Sequence, residues 1–155
     1  FKGADKVKQH FSTIDKNQIL KIKSLWEKLN ELQIANSGNF QEYYRNNTFK
    51  NNFEKISRMN DSELRIEIIE ENDIPIGYCV SSLHNGVGEI ESLFIEKRQR
   101  KLGNGKKLIE NALLWFKSMD CQKVVLALPE GSEDSLGFFQ KFHLYPRVIF
   151  LEQKL

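Results

Sequence analysis

The residues best suited to chemistry lie between positions 89 and 107, where two carboxylates precede a basic, glycine-containing loop. Glu89 and Glu91 belong to the apolar run GVGEIESLFI, and Arg100, Gly103 and Gly105 follow it. Glycines let the backbone approach a ligand closely, and the first N–H groups of a helix have no intrahelical partners. Residues 96–107 contain six Lys and Arg against one Glu, a net charge of +5. A positive helix terminus with this charge favours a phosphate ligand.

Two common nucleotide-binding motifs do not fit this loop. A dinucleotide fingerprint requires a third glycine where the chain has Leu108, and the P-loop pattern GxxxxGK[ST] is absent. The structural alternative is a turn whose Lys and Arg side chains are only solvated. The combination of strand, loop, glycines, basic cluster and helix favours a ligand site over that alternative.

The elements that must position this loop follow from hydrophobic periodicity. We predict a strand around Val7–Phe11, a helix over 16–33, short helices after 40, a hairpin over 64–83, a strand over 86–95, a helix over 104–119, a strand over 123–129, a short helix over 132–142 and a last strand over 147–154. The run KVVLALP is apolar throughout, which predicts a central strand. This order predicts an α+β fold with a mixed, mostly antiparallel sheet and helices on both faces.

The loop Arg100-Lys101-Leu102-Gly103-Asn104-Gly105 resembles the Arg-x-x-Gly-x-Gly signature of the GNAT superfamily of acetyl-CoA-dependent N-acetyltransferases. The resemblance extends to EIESLFI before the loop and to KLIENALLWF, KVVLAL and SEDSLGFFQKFHLYPR after it. The order of elements fits the family over essentially the whole chain. The resemblance implies a GNAT fold, a single acetyltransferase domain over residues 1–155, and acetyl-CoA as the co-substrate.

The resemblance also implies which residues hold CoA. Backbone N–H groups of the loop and helix start would bind the pyrophosphate, with two basic side chains beside them: Leu102, Gly103, Asn104, Gly105 and Lys106, with Arg100 and Lys101. The backbone of Leu93, Phe94 and Ile95 would pair with the pantetheine arm. Ser132 and Phe139 stand where family members have Asn and Tyr in the short helix that flanks the cofactor.

Pairing of the pantetheine arm requires a free strand edge inside the sheet. A bulge around Glu91–Leu93 that splays this strand from the strand 123–128 would provide one. In a regular strand Glu89 and Glu91 would share a face with the core residues Leu93 and Ile95, and a bulge resolves that conflict. The alternative is that both glutamates simply face solvent.

Acetyl transfer to an amine requires a general base, and Glu91 and Glu89 are the candidates. Glu91 is placed first because it lies nearer the cofactor strand, and either carboxylate could instead bind a cationic acceptor. A backbone N–H near residues 93–95 is expected to stabilise the oxyanion. Phe139 replaces the Tyr that the family commonly uses as the acid. Tyr145 is a substitute candidate, although a core or rim role is favoured for it.

We expect a small-molecule amine acceptor rather than a peptide, but the preference is slight. Residues 61–73 have a net charge of −5, and carboxylates that reach the acceptor cleft would concentrate cations there. The favoured alternative is that this stretch is a solvated face of the hairpin. Tyr43, Tyr44 and Phe49 fall where the family builds its acceptor wall, and both a core role and a pocket-lining role are open for them. The alternatives are a protein or peptide N-acetyltransferase and a non-catalytic CoA-binding module.

Other classes of function are disfavoured. The basic residues are confined to one loop, which argues against nucleic-acid binding, and the three histidines are scattered, which predicts no metal site. No apolar stretch approaches the ~20 residues that a membrane helix needs. A length of 155 residues predicts one domain, and Cys79 and Cys121 in apolar stretches predict a reducing, cytoplasmic location. A homodimer is left open.

Overall fold

A computed structural model describes residues 7–155 of the chain. Its strands and α-helices, in chain order, are β1 (Gln9–Ile14), α1 (Lys23–Asn36), α2 (Gln41–Asn46), α3 (Phe49–Ser57), β2 (Leu64–Glu71), β3 (Ile74–His84), β4 (Val87–Ile95), α4 (Asn104–Ser118), β5 (Lys123–Val125) and α5 (Leu136–Gln140). A 3-10 helix, Lys16–Ile22, leads into α1 and is capped by Asp15, whose side chain accepts a hydrogen bond from the backbone N–H of Asn17.

The strands form one sheet in the order β1-β2-β3-β4-β5. The first four strands pair antiparallel to their neighbours, whereas β4 and β5 are parallel, joined by the crossover helix α4. The predicted mixed, mostly antiparallel sheet is therefore confirmed. It places the C-terminal end of β4 next to the start of α4.

Helices cover both faces of the sheet, as predicted. The α1 cluster packs α1 and α3 on one face around Trp26, Phe49 and Tyr78. The α4 cluster packs α4 and α5 on the other face. The buried positions of α4 follow helical spacing: Leu108, Ile109, Ala112 and Phe116. This apolar stripe fixes the orientation of α4 against the sheet.

Two predictions about the end of the sheet are wrong. The strand predicted over 123–129 is paired only over Lys123–Val125 and lies at the edge of the sheet rather than in its centre. The strand predicted over 147–154 is not formed, and residues 145–155 are exposed without secondary structure. The two errors have one physical cause. A central strand requires a neighbour on each side, and within residues 7–155 no strand pairs with the outer edge of β5.

Smaller differences concern element boundaries. The first strand runs from Gln9 rather than Val7, and the helix predicted over 16–33 is a 3-10 helix followed by α1 to Asn36. The helix predicted over 132–142 is a 3-10 turn at Glu133–Ser135 and the short α5. No helix in the described part of the chain has the length and apolar character that crossing a bilayer requires.

Candidate active site

The two parallel strands β4 and β5 separate after a short paired segment. Pairing joins residues 87–89 to residues 123–125, and β4 then continues to Ile95 with β3 on one side only. Within residues 7–155 no strand pairs with the β5 side of Leu93, Phe94 and Ile95. This splayed edge is the free pairing edge that the sequence predicted.

A β-bulge at Glu91 accompanies the separation. Ser81 pairs with Ile90 and Val80 pairs with Ser92, so Glu91 is the extra residue of β4. Side chains of β3 hold this segment, because the Ser82 hydroxyl donates to Glu91 Oε1 at 2.6 Å. The buried Tyr78 hydroxyl lies 2.7 Å from Ser92 Oγ. The bulge predicted around Glu91–Leu93 is confirmed.

The two carboxylates at the bulge have different environments. Glu91 is bound at both oxygens, by Ser82 and by Lys55 of α3, whose Nζ lies 2.7 Å from Oε2. Its side chain is only 13% exposed, which rules out a simple solvent-facing role. Partial burial raises the pKa of Glu89, the charge of Glu91 raises it further, and Lys55 acts in the opposite direction. Both Glu91 oxygens are therefore occupied by hydrogen bonds, and Glu89 is a carboxylate whose pKa is raised.

Lys55 links this pair to the helical side of the site. Burial acts to lower the pKa of Lys55, but the hydrogen bond to Glu91 and the charges of Glu91 and Glu89 outweigh it, so the pKa of Lys55 is raised. Tyr43 of α2 also acts to raise the pKa of Lys55. We call Tyr43, Lys55, Glu89 and Glu91 the carboxylate cluster. The ion pair between Lys55 and Glu91 joins α3 to the bulge of β4.

The loop after β4 leaves the start of α4 open. Lys101 and Gly103 adopt positive φ angles of 62° and 87°, and α4 begins at Asn104 without a side-chain cap. The first intrahelical bond runs from Lys107 N–H to the Gly103 carbonyl oxygen at 3.0 Å. The N–H groups of Asn104, Gly105 and Lys106 therefore lack helical partners. A Cβ at Gly103 would meet nothing within 4 Å, so the space above the terminus is free.

Arg100 connects this loop to the splayed edge. Its Nε donates to the Ile95 carbonyl oxygen at 2.8 Å, and its guanidinium lies 5.4 Å from the centre of the Phe94 ring. Leu102 is 70% exposed, which leaves its backbone accessible. The structure thus brings together the predicted segments 93–95 and 100–106 as one continuous surface.

Three other predicted residues are placed apart from the carboxylates. Ser132 is half-buried after β5, and Phe139 is 8% exposed within the α4 cluster. Tyr145 follows α5, is 63% exposed and contacts the ring of His143. Phe138, not Phe139, packs against the glycine loop, since its Cζ lies 3.3 Å from where a Cβ of Gly105 would be.

The acidic stretch 61–73 does not add its charge to the carboxylate cluster. Strand β3 separates β2 from β4, and Glu67 is buried between Arg65 Nη2 at 3.0 Å and Asn111 Nδ2 of α4 at 2.7 Å. Glu71 accepts a hydrogen bond from Gln99. Among the described residues, no group of three His, Cys, Asp or Glu side chains has the geometry of a metal site.

Sequence reasoning missed Lys55 and Ser82. The turn at His84–Val87 fixes the hairpin register and places Ser82 opposite Glu89, so counting back from the turn would have found Ser82. Lys55 had no comparable signal, because its place depends on how α3 packs across the sheet. Both residues hold Glu91 and thereby distinguish the two carboxylates.

Comparisons with known proteins agree with this geometry. The sequence model of the acetyltransferase (GNAT) family matches residues 26–144. No curated protein sequence matches the chain. Among similar solved structures, the aminoglycoside N-acetyltransferase AAC(6')-Iy in complex with CoA has 18% identity and a TM-score of 0.67, covering 96% of this chain and 97% of its own.

Two further solved structures have the same fold. An aminoglycoside acetyltransferase from an uncultured soil metagenomic sample, in complex with sisomicin, has 13% identity and a TM-score of 0.70, with 95% of this chain and 96% of its own covered. Glucosamine-6-phosphate N-acetyltransferase from Arabidopsis thaliana has 20% identity and a TM-score of 0.67, with 94% and 97% covered. With the family match, the splayed strands and the open helix terminus, the chain belongs to the GNAT family and is an acetyl-CoA-dependent acetyltransferase.

Proposed function

We propose that this enzyme transfers the acetyl group of acetyl-CoA directly to the primary amine of a small molecule. The observation that supports this most is the separation of β4 from β5 beside the carboxylate cluster. The free strand edge and the two carboxylates then lie along β4, and the open start of α4 follows β4 in the chain. Acetyl-CoA supplies the activated acyl group, and the chain supplies alignment and proton transfer.

The cofactor end of the site consists of backbone and basic side chains. The free N–H groups at the start of α4 and the +5 charge of residues 96–107 suit a pyrophosphate. The unpaired edge at residues 93–95 suits an extended amide-containing arm, which can hydrogen-bond like an added strand. Arg100 ties the basic loop to the end of β4 through its hydrogen bond to the Ile95 carbonyl oxygen. CoA binding by these residues fits the open space above Gly103.

We assign the general base to Glu89 rather than to Glu91, which reverses the order predicted from the sequence. A base must accept a proton during the reaction, and a raised pKa favours that role. Glu91 already accepts hydrogen bonds at both carboxylate oxygens, from the Lys55 ammonium group and from the Ser82 hydroxyl group. Glu91 is therefore a positioning residue whose charge helps to raise the pKa of Glu89. Water and solvent protonate the departing thiolate in this scheme, because Phe139 has no proton to give.

The acceptor class follows from the charges around the base. Glu89 and Glu91 offset by Lys55 leave one net negative charge, which favours a cationic amine of modest size. Tyr43 adds an exposed aromatic surface on the α2 side. The solved relatives named for aminoglycosides and for glucosamine-6-phosphate act on small amines, which supports the same class here.

A thiol-release screen tests this proposal. With acetyl-CoA present, we expect release of free CoA on addition of aminoglycosides, amino sugars or polyamines, and little release with short peptides. Quantitation of free thiol and mass spectrometry of the product measure both sides of the reaction. Activity confined to peptides would contradict the small-amine proposal, and CoA binding without release on any amine would favour a non-catalytic module.

Two substitutions beside Glu89 should shift the pH profile of the enzyme in opposite directions. If Glu89 is the base, kcat/KM rises with pH as Glu89 loses its proton. Lys55→Met removes a positive charge that lowers the pKa of Glu89, so the acidic limb should move to higher pH. Glu91→Gln removes a negative charge that raises this pKa, so the limb should move to lower pH. The measurement is kcat/KM between about pH 4 and 9, a range that includes the titration of a carboxyl group with a raised pKa.

Lys50→Met is the matched control for this experiment. Lys50 lies exposed on the same helix as Lys55, and no salt bridge joins it to the carboxylates. Its profile should coincide with that of the wild type. Limbs that shift in the same direction for Lys55→Met and Glu91→Gln would exclude Glu89 as the titrating base.

A further inference from the structure

The loop between β5 and α5 is tied to the loop between α1 and α2 by one carboxylate. Glu130, in the first of these loops, accepts a hydrogen bond from the Ser37 hydroxyl group at 2.7 Å. It also accepts hydrogen bonds from the backbone N–H of Asn39 at 3.0 Å and from the side-chain amide of Asn39 at 2.6 Å. We call Glu130, Ser37 and Asn39 the Glu130 clasp. It joins segments of the chain that are far apart in sequence.

The clasp determines the conformation of the short loop that leads into α2. Ser37 is only 2% exposed, and its oxygen accepts a hydrogen bond from the backbone N–H of Phe40 at 2.9 Å. The bond from Ser37 does most to lower the pKa of Glu130, burial acts in the opposite direction, and the bonds from Asn39 lower it further. Glu130 is therefore an anion at neutral pH, and the clasp is formed under the conditions in which the enzyme works.

Gly131 makes a second contact between the same two loops. Its φ is 83°, and a Cβ at this position would lie 2.1 Å from the carbonyl oxygen of Asn36, the last residue of α1. The two loops thus meet backbone against backbone beside the carboxylate, at a distance that only glycine allows. Glu130 and Gly131 hold the loops together by different means, one by charge and the other by close approach.

Helix α2 depends on such contacts because its own side chains do not anchor it. None of the six residues of α2 is buried, whereas α3 is anchored by the buried Phe49 and Ile56. A helix of this length is not stable by itself in water. At its C-terminal end, Asn30 of α1 donates through Nδ2 to the Tyr44 carbonyl oxygen at 3.1 Å. At its N-terminal end, the Glu130 clasp holds the residues that lead into it.

Helix α2 also lies between the clasp and the carboxylate cluster. Burial raises the pKa of Tyr44, and Tyr43 raises it further. The carboxylates of Glu130 and Glu152 act on Tyr44 in the same direction. The rings of Tyr43 and Tyr44 are in edge-to-face contact with their centres 5.1 Å apart, and Tyr43 acts to raise the pKa of Lys55. A shift of α2 would therefore move an aromatic side chain that lies beside the carboxylate cluster.

We propose that Glu130 is a positioning residue for the acceptor amine, which holds α2 and its Tyr43 side chain in the place that acceptor binding requires. The proposal rests on the proposed function, since it takes α2 as part of the acceptor wall. The hydrogen bonds of the clasp involve neither Glu89 nor the residues proposed to bind CoA. When the clasp is lost, the acceptor binds only the fraction of molecules in which α2 is in place. The apparent affinity for the acceptor then falls, and the acetyl-transfer step does not change.

Two substitutions open the clasp by different means. Glu130→Gln keeps the size of the side chain but removes the charge and one of the two accepting oxygens. Gly131→Ala keeps the carboxylate and places a methyl group against the Asn36 carbonyl oxygen. Asp134→Asn is the control for charge, since Asp134 is exposed in the same loop. Gly137→Ala is the control for the added methyl group, since a Cβ at Gly137 would meet nothing within 4 Å.

Hydrogen exchange of the free enzyme measures the hold on α2 without any substrate. The amides of residues 41–46 should exchange about tenfold faster in Glu130→Gln and in Gly131→Ala, because fewer charge-assisted hydrogen bonds oppose local opening. The amides of α4 are the internal reference and should not change. Both control variants should match the wild type.

Steady-state kinetics then show whether the hold on α2 serves acceptor binding. With the best amine found for the wild type, both clasp variants should raise KM for the amine by about threefold or more, as expected when the competent fraction falls. Both kcat and the Kd for CoA should stay within about twofold of the wild type, because the base and the helix start are untouched. This division between KM and kcat would not result from a general loss of stability.

Each contrary result has its own signature. Unchanged exchange of α2 in both variants would overturn the clasp as its anchor. Faster exchange of α2 with an unchanged KM would mean that α2 takes no part in acceptor binding, which overturns the proposal and leaves acetyl transfer intact. A fall in kcat without a rise in KM would also overturn it. A wild type that acetylates no amine would overturn the proposed function and this role of Glu130 together, and that failure is recognised because it appears before any substitution is made.

Discussion

Glu89→Gln is expected to lower kcat by about 10²–10⁴-fold, the usual effect of losing a general base. The amide keeps the size of the side chain and cannot accept the amine proton. CoA affinity should be unchanged, because Glu89 lies at the start of the splayed edge and not at the helix terminus. Thiol-release kinetics under saturating acetyl-CoA measure the loss, and calorimetry measures CoA binding. The acidic limb of the pH profile should disappear with the carboxylate.

Two further variants define what the result means. Glu27→Gln changes an exposed carboxylate on α1 and should leave kcat unchanged. Glu91→Gln should lower kcat less than Glu89→Gln, because Glu91 acts through the position and pKa of its neighbour. A Glu89→Gln enzyme whose rate stays within about threefold of the wild type would mean that water alone takes the proton from a free amine.

Arg100→Glu and Gly103→Val are each expected to weaken CoA binding by about 10²-fold or more. Reversing Arg100 removes a charge-assisted interaction, worth ~1.5–3 kcal/mol, and adds repulsion toward phosphate. It also removes the hydrogen bond to the Ile95 carbonyl oxygen. Valine at Gly103 has ample space but must adopt a φ of 87°, which β-branched residues strongly disfavour, so the helix start should change shape. Calorimetric titration with CoA measures both losses.

Arg98→Glu is the control for charge. Arg98 is exposed in the same loop, so its reversal changes the net charge equally and removes no described contact with β4. A modest loss that vanishes at high salt is expected, since screening weakens only the long-range part. Thermal unfolding should confirm that the variants remain folded, because the buried residues Leu108, Ile109 and Ala112 anchor α4 in the core. Equal CoA affinity in Arg100→Glu, Gly103→Val and the wild type would contradict this location of the pyrophosphate site.

The features that could be predicted from the sequence are those determined by neighbours in the chain. The hairpin between β2 and β3, the position of β4 and the start of α4 follow from alternation, turns and glycine placement. The bulge at Glu91 was predictable because regular alternation would have put two carboxylates in line with core residues. These features make up the strand edge and the helix start at which we propose that CoA binds.

The features that could not be predicted depend on long-range packing. The position of Lys55 against Glu91 requires α3 to cross the sheet, which no local pattern states. The roles proposed for Glu89 and Glu91 depend on that contact. The segment 147–154 was predicted as a strand from its composition, but a strand requires a partner, and no described strand pairs with this segment.

The division of the core into an α1 cluster and an α4 cluster has a consequence for the way this enzyme tolerates change. The proposed acceptor wall lies on the face of the sheet that α1 and α3 cover, and the proposed pyrophosphate loop leads into α4 on the other face. Substitutions that share no contacts usually have additive effects on free energy. Libraries restricted to α2 and α3 should therefore yield new acceptor preferences at little expense in CoA affinity, so that directed evolution can treat the two halves of the site as independent modules.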